Sequence, residues 1–141
     1  MSAVLKDIML VEDDSSIAEI ATLTLEDLGG FSVVHCASGF EALTVLQKHR
    51  PQLILMDVMM PQMDGRETLR QIREEMKILD LPIIFMSART QTHERAEYVS
   101  LGAAGMIAKP FDPMKLSDTV RQMWHKAVSA GEPSADGITT S

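Results

Sequence analysis

Five short apolar runs of strand length recur along the 141 residues, each separated from the next by a stretch with helical spacing. They lie at Ile8 to Val11, Ser32 to Cys36, Leu53 to Met56, Ile83 to Met86 and Met106 to Ala108. Parallel neighbours in a sheet require crossover connections, and helices between strands supply them. The alternation therefore predicts an α/β domain of the doubly wound class, a parallel sheet with helices on both faces. Expected helix faces carry Ile17, Ile20, Ala21, Thr24 and Leu28 in the first, Leu43 and Leu46 in the second, and Leu69, Ile72, Met76 and Leu79 in the third. The last carries Leu116, Val120, Met123, Trp124 and Ala127. The fourth, roughly Thr92 to Leu101, offers only Ala96, Val99 and Leu101 for burial and is expected to be the most mobile.

Boundary signals agree with this pattern. Ser38 with Glu41 forms a capping box, Asp64 precedes a helical run, and Pro113 suits a first helical turn. Gly29-Gly30 and Pro51 end the first two helices. Residues 1–128 are expected to form the domain, and 129–141 turn polar and small, as in a flexible tail or a truncated linker.

Charge narrows the partners. Thirteen Lys and Arg stand against twenty Asp and Glu, for a net charge of -7, with no basic patch to engage nucleic acid or an anionic membrane. The single cysteine, Cys36, excludes an internal disulfide and sits where a small buried strand residue belongs. The N-terminal residues lack a signal-peptide pattern and no apolar run approaches a membrane span, so the expected location is cytoplasmic.

Ligands of open α/β sheets bind beyond the carboxyl ends of the strands, which makes the residues there the informative ones. The first strand runs into Glu12-Asp13-Asp14, the third into Asp57, the fourth into Ser87 and the fifth into Lys109-Pro110. Carboxylates converging in a cleft repel one another and call for a cation. An oxygen donor set without paired histidines points to Mg2+, whereas His35, His49, His93 and His125 are scattered. Asp14, beside a helix start, reads as a cap; Glu12 and Asp13 alone could equally be solvated, and Lys109 alone would be an ordinary surface lysine. Asp57 at the end of an apolar run and Pro110 after Lys109 change that balance, since a cis Lys-Pro bond would swing the ammonium towards the acids. An aspartate is ionised at neutral pH and needs no base to attack phosphorus. Lys109 and the cation would stabilise the phosphoryl oxygens, with Ser87 donating a hydrogen bond.

Taken together, these residues resemble the receiver domain of two-component response regulators over roughly Lys6 to Lys126. The resemblance is carried by Met9-Leu10-Val11-Glu12-Asp13-Asp14, by Asp57-Val58-Met59-Met60-Pro61-Gln62-Met63-Asp64-Gly65, by Met86-Ser87-Ala88, and by Gly102-Ala103-Ala104-Gly105 leading to Lys109-Pro110-Phe111. It implies a flavodoxin-like five-stranded sheet of order 2-1-3-4-5 with five helices. It also implies Asp57 as phosphoacceptor, with Ser87 and Lys109 contacting the phosphoryl group. Mg2+ is then held by Glu12, Asp13, Asp57 and the Met59 backbone carbonyl.

The implied partners are a histidine kinase or histidine phosphotransfer protein and a downstream protein that reads the face of helix 4, strand 5 and helix 5, with homodimerisation on phosphorylation as a further outcome. Such a protein is a signalling phosphoacceptor, not an enzyme beyond its own phosphorylation and slow autodephosphorylation. Met59 and Arg89 flank the expected water approach and predict a persistent phosphorylated state. Met106 departs from the aromatic found in many relatives, leaving its role as a switch open. An aspartate-based phosphohydrolase is the enzyme alternative, but it wants a second acid where Met59 stands. A phosphorylation-independent interaction module would not need the acids, Ser87 and Lys109. The polar stretch from Ser129 is too short for a helix-turn-helix unit, so the expectation is a stand-alone receiver or a chain cut in a linker.

Overall fold

The computed structural model describes residues 4–88 and 92–131. Arg89 and the polar stretch of residues 132–141 lie outside the described residues. Elements follow the chain as β1 (Asp7–Val11), α1 (Ser15–Asp27), β2 (Ser32–Cys36), α2 (Gly39–Leu46), β3 (Leu53–Asp57), α3 (Gly65–Arg70), β4 (Ile83–Ser87), α4 (Thr92–Ser100), β5 (Gly105–Ala108) and α5 (Pro113–Gly131). The sheet has the order β2-β1-β3-β4-β5 with every neighbouring pair parallel. This is the expected flavodoxin-like arrangement.

Side chains on a strand alternate between faces, so each apolar run feeds two cores. Met9, Val11, Ile54, Met56, Ile83 and Phe85 pack beneath α2, α3 and α4. Ile8, Leu10, Leu53, Leu55, Ile84 and Met86 pack beneath α1 and α5. The central strands β3 and β4 are buried at every position, whereas edge strand β2 is buried only at Cys36. That contrast is what a parallel sheet covered on both faces requires. Burial, helped by the charge of Glu41, pushes the Cys36 thiol up to about 11 and leaves it an inert core residue.

Caps fix where the helices begin. Asp14 accepts hydrogen bonds from the N–H groups of Ser16 (2.9 Å) and Ile17 (3.1 Å), Ser38 from Glu41 (3.0 Å), and Asp64 from Glu67 (2.9 Å). Glu41 completes a variant of the capping box by accepting from the Ala37 N–H at 2.7 Å. Pro113 opens α5, which runs to Gly131. The Trp124 indole is buried and donates to the Gln52 carbonyl at 3.1 Å, tying α5 to the entry of β3.

Three helix faces differ from the sequence reading. In α1 the buried stripe is Ala18, Ala21, Thr24 and Leu25, while Ile20 and Leu28 are 50% and 57% exposed. Small residues win because α1 lies close to α5, where Ser117 donates to the Thr24 carbonyl at 3.3 Å. The third helix changes into a π turn at Gln71–Glu75 and ends at Met76, with Lys77 in the left-handed region at φ 60°. The extra residue keeps Leu69 and Ile72 buried but puts Leu79 beyond the helix, 71% exposed. Among the described side chains of α4 the buried one is Tyr98, while the expected Ala96, Val99 and Leu101 are exposed. Tyr98 meets Phe85 edge-on, with ring centroids 5.3 Å apart, an aromatic contact that helical spacing of aliphatic residues did not reveal.

Gly65, the first residue of α3, is where backbones approach most closely behind the end of β3. A Cβ there would lie 2.6 Å from the Asp57 carbonyl oxygen and 3.0 Å from Val58 Cα. Backbone cannot step aside as a side-chain end can, so Gly65→Ala is expected to lower stability by about 1–3 kcal/mol in urea unfolding. Ala at Gly30, which has φ 72° but open space around it, should cost about 1 kcal/mol through backbone conformation alone.

Candidate functional site

The carboxyl ends of β1, β3 and β5 converge because the sheet order sets β1 beside β3 and carries the chain across β4 to β5. Glu12 follows β1 directly and its N–H bonds the Cys36 carbonyl at 3.0 Å, extending the β1–β2 ladder by one step. That register turns its side chain inward, where the residue is 1% exposed. Asp57 is the last residue of β3 and is 4% exposed. Asp13 is exposed, yet carboxylate oxygens of Glu12, Asp13 and Asp57 all lie within 4.8 Å of one another. Asp14 turns away to cap α1, as its position beside the helix suggested.

Lys109 joins the acids. The Lys109–Pro110 peptide is cis, and Nζ lies 3.0 Å from Glu12 Oε1 and 3.4 Å from Asp57 Oδ2. Its N–H donates to the Ser87 carbonyl at 2.8 Å, locking the end of β5 to the end of β4. Ser87, the last residue of β4, is buried. Burial pushes the Glu12 carboxyl up to about 7, against the Lys109 and Asp14 hydrogen bonds that favour its anion; the Asp57 charge adds to the rise. Burial would lower the Lys109 ammonium, but Glu12 and Asp57 outweigh it and hold the pKa above its ordinary value.

The loop after β3 wraps Asp57. Val58 N–H donates to the Met86 carbonyl at 3.0 Å, Gly65 N–H to the Val58 carbonyl at 2.8 Å, and Met59 N–H to Asp57 Oδ1 at 3.3 Å. Gln62 turns the loop in the left-handed region, φ 72°. Met59 is 63% exposed while Met56, Met60 and Met63 are buried, so the methionines divide between surface and core and form no soft-metal set. Formally three carboxylates face one ammonium, and an all-oxygen, net-anionic cluster at the mouth of a sheet fits a hard divalent cation. Beside it, Ile17, Ile20, Ala88, Pro110, Phe111 and Pro113 line a hollow of about 410 Å³ that Lys109 borders.

One site neighbour was missed in the sequence. His35 Nε2 lies 2.8 Å from the Glu12 carbonyl and, as the donor, steadies the backbone that carries the buried acid. Only the β1–β2 register, which pairs His35 with Leu10, brings it there. Met106 is buried and pairs with Phe85 across β4–β5, in the same cluster as Tyr98.

Known proteins resemble the chain throughout this framework. Response regulator Rre1 of Synechocystis sp. is 38% identical over 116 residues, covering 82% of this chain and 50% of that protein. The uncharacterized transcriptional regulatory protein YcbL of Bacillus subtilis is 36% identical over 134 residues, 92% of this chain and 57% of that protein. The chain thus spans about half the length of these relatives. Among solved structures, the chemotaxis response regulator CheY4 of Vibrio cholerae superposes with a TM-score of 0.78 at 32% identity, over 85% of this chain and 99% of that one. Residues 8–121 match the family described as the response regulator receiver domain, and with the sheet order and the acidic site at its carboxyl edge, the chain belongs to that family of two-component signalling proteins.

Proposed function

We propose that the chain accepts a phosphoryl group on Asp57 from a histidine kinase or histidine phosphotransfer protein and passes the change to a protein partner. The observation that carries this reading is the bridge from Lys109 Nζ to both Asp57 and Glu12 beside a third carboxylate. A carboxylate oxygen of Asp57 attacks phosphorus in line, the P–N bond to the donor imidazole breaks, and the leaving nitrogen keeps the electron pair. Lys109 can pivot from the carboxylates to a phosphoryl oxygen without leaving its place, and Ser87 sits at the neighbouring strand end to donate a hydrogen bond. Glu12, Asp13, Asp57 and the Met59 backbone carbonyl would hold Mg2+, which when bound would neutralise the converging oxygens.

The unit of function in this reading is the domain expected over residues 1–128, which α5 carries on to Gly131, with the residues beyond it as tail or linker. The output surface is formed by α4, β5 and α5, where Tyr98 and Met106 lie, and homodimerisation through it is one form the output can take. In this reading the chain catalyses only its own phosphorylation and slow autodephosphorylation. A phosphohydrolase is disfavoured because Met59 offers no acid two residues after Asp57.

Incubation with phosphoramidate and Mg2+ followed by intact-mass and peptide mass spectrometry is expected to give one phosphoryl adduct, on Asp57, and none in Asp57→Asn. The amide keeps the shape but has no anionic oxygen to attack with. In calorimetric Mg2+ titrations Asp13→Asn is expected to weaken binding about tenfold or more, and Asp14→Asn to change it less than about twofold, because asparagine caps a helix nearly as well as aspartate.

Glu12 sets a pH dependence. With its carboxyl raised from 4.5 to about 7, the folded chain without cation binds more protons than the unfolded one between those values, and Glu12's contribution to stability falls as pH rises through that window. Mg2+ needs the anion, so its affinity should drop about tenfold from pH 8 to pH 6, and Glu12→Gln should flatten that slope.

A further inference from the structure

We propose that α3 is a second mechanical link between the Asp57 loop and α4, fastened to α4 and its following turn by Arg66 and Arg73. The inference rests on the phosphoacceptor reading of Asp57. Its near end is Gly65, whose missing Cβ lets α3 seat against the Asp57 carbonyl and whose N–H bonds the Val58 carbonyl at 2.8 Å. Any shift of the Asp57 backbone therefore meets the first residue of α3. The body between is stiff, because Leu69 and Ile72 are buried against the sheet.

Two ties leave this body for α4. Arg66 Nη1 lies 2.9 Å from Glu97 Oε2, but both side chains are more than two-fifths exposed, and such a pair contributes little alone. Arg73 differs in kind. It is half-buried and donates Nη1 to the Ile78 carbonyl at 3.0 Å and Nη2 to the Gly102 carbonyl at 3.3 Å, spanning the α3–β4 and α4–β5 connections. Gly102 has φ 103°, a conformation that only glycine holds without strain, so the direction of its carbonyl belongs to the turn. Arg73 lies within the π turn at Gln71–Glu75, next to the buried Ile72. Ala103 and Ala104, next in the chain, bond the Tyr98 and Ile83 carbonyls at 3.1 and 2.7 Å, so the turn is also tied to α4 and β4. The contacts run without a break from Asp57 through α3 to the start of β5.

Backbone NMR of the full chain before and after labelling with phosphoramidate and Mg2+ tests the link, with intact mass reporting the adduct separately. Shift changes at Glu97–Ala104 are expected to fall to about half or less in Arg66→Ala/Arg73→Ala, while those at Val58–Gly65 and the extent of labelling persist. Unchanged shifts at Glu97–Ala104 overturn the proposal. Should that double variant not fold, Arg73→Lys with Glu97→Gln replaces it under the same criterion. A chain that takes no phosphoryl group removes the phosphoacceptor reading, and the link is then judged on the unmodified protein. There, Gly65→Ala should perturb Gly102–Ala104 when Arg73 is present and not in Arg73→Ala; perturbation that is absent, or that ignores Arg73, overturns it.

Discussion

The site depends on one buried electrostatic arrangement, an ammonium shared between two desolvated carboxylates. Without Lys109, Glu12 and Asp57 would stand almost fully buried with like charges facing each other, which a low-dielectric interior does not tolerate. Even with it, burial leaves Glu12 partly protonated near neutral pH. The cluster is therefore stable enough to fold and still short of positive charge. That residual deficit is of the kind a hard divalent cation would offset.

Much of the fold exists to hold this arrangement. Parallel strands place the residues after β1, β3, β4 and β5 along one edge, and the caps at Asp14 and Asp64 start helices immediately beyond it. Close packing of Gly65 behind Asp57 holds the loop after β3 against the end of the strand. The two cores differ in consequence. Beneath α1 and α5, small residues and the Trp124 hydrogen bond give a well-anchored face. On the other side, among the described side chains of α4, Tyr98 is the one that reaches the core, and Arg66 and Arg73 tie the helix and its following turn to the third helix.

Met106 belongs to this second face. It pairs with Phe85, and the aromatic contact in its neighbourhood is made by Tyr98 from α4 instead of by a β5 residue. A flexible thioether beside an edge-on aromatic pair can adjust to small shifts of β4 without a single required rotamer.

The alternation of apolar runs and helical spacing carried the α/β class and the five strands, since both follow from the period of burial along the chain. The acids, Asp57, Ser87 and Lys109-Pro110 were legible as a group because each follows a strand, where an open parallel sheet gathers its functional residues. Cap residues were legible too, their chemistry being local. What the sequence did not disclose came from packing between distant segments. The buried face of α1 shifted to Ala18 and Ala21 because α5 lies close, the third helix took a π turn that expelled Leu79, and Tyr98 displaced the aliphatic residues of α4 from the core. The sequence by itself determined which residues line the edge of the sheet, because strand ends are set by local pattern. Only the tertiary structure decided that Lys109 bridges Glu12 and Asp57, that His35 steadies Glu12, and that Arg73 clasps Gly102, because those contacts depend on register and helix approach between residues far apart in the chain.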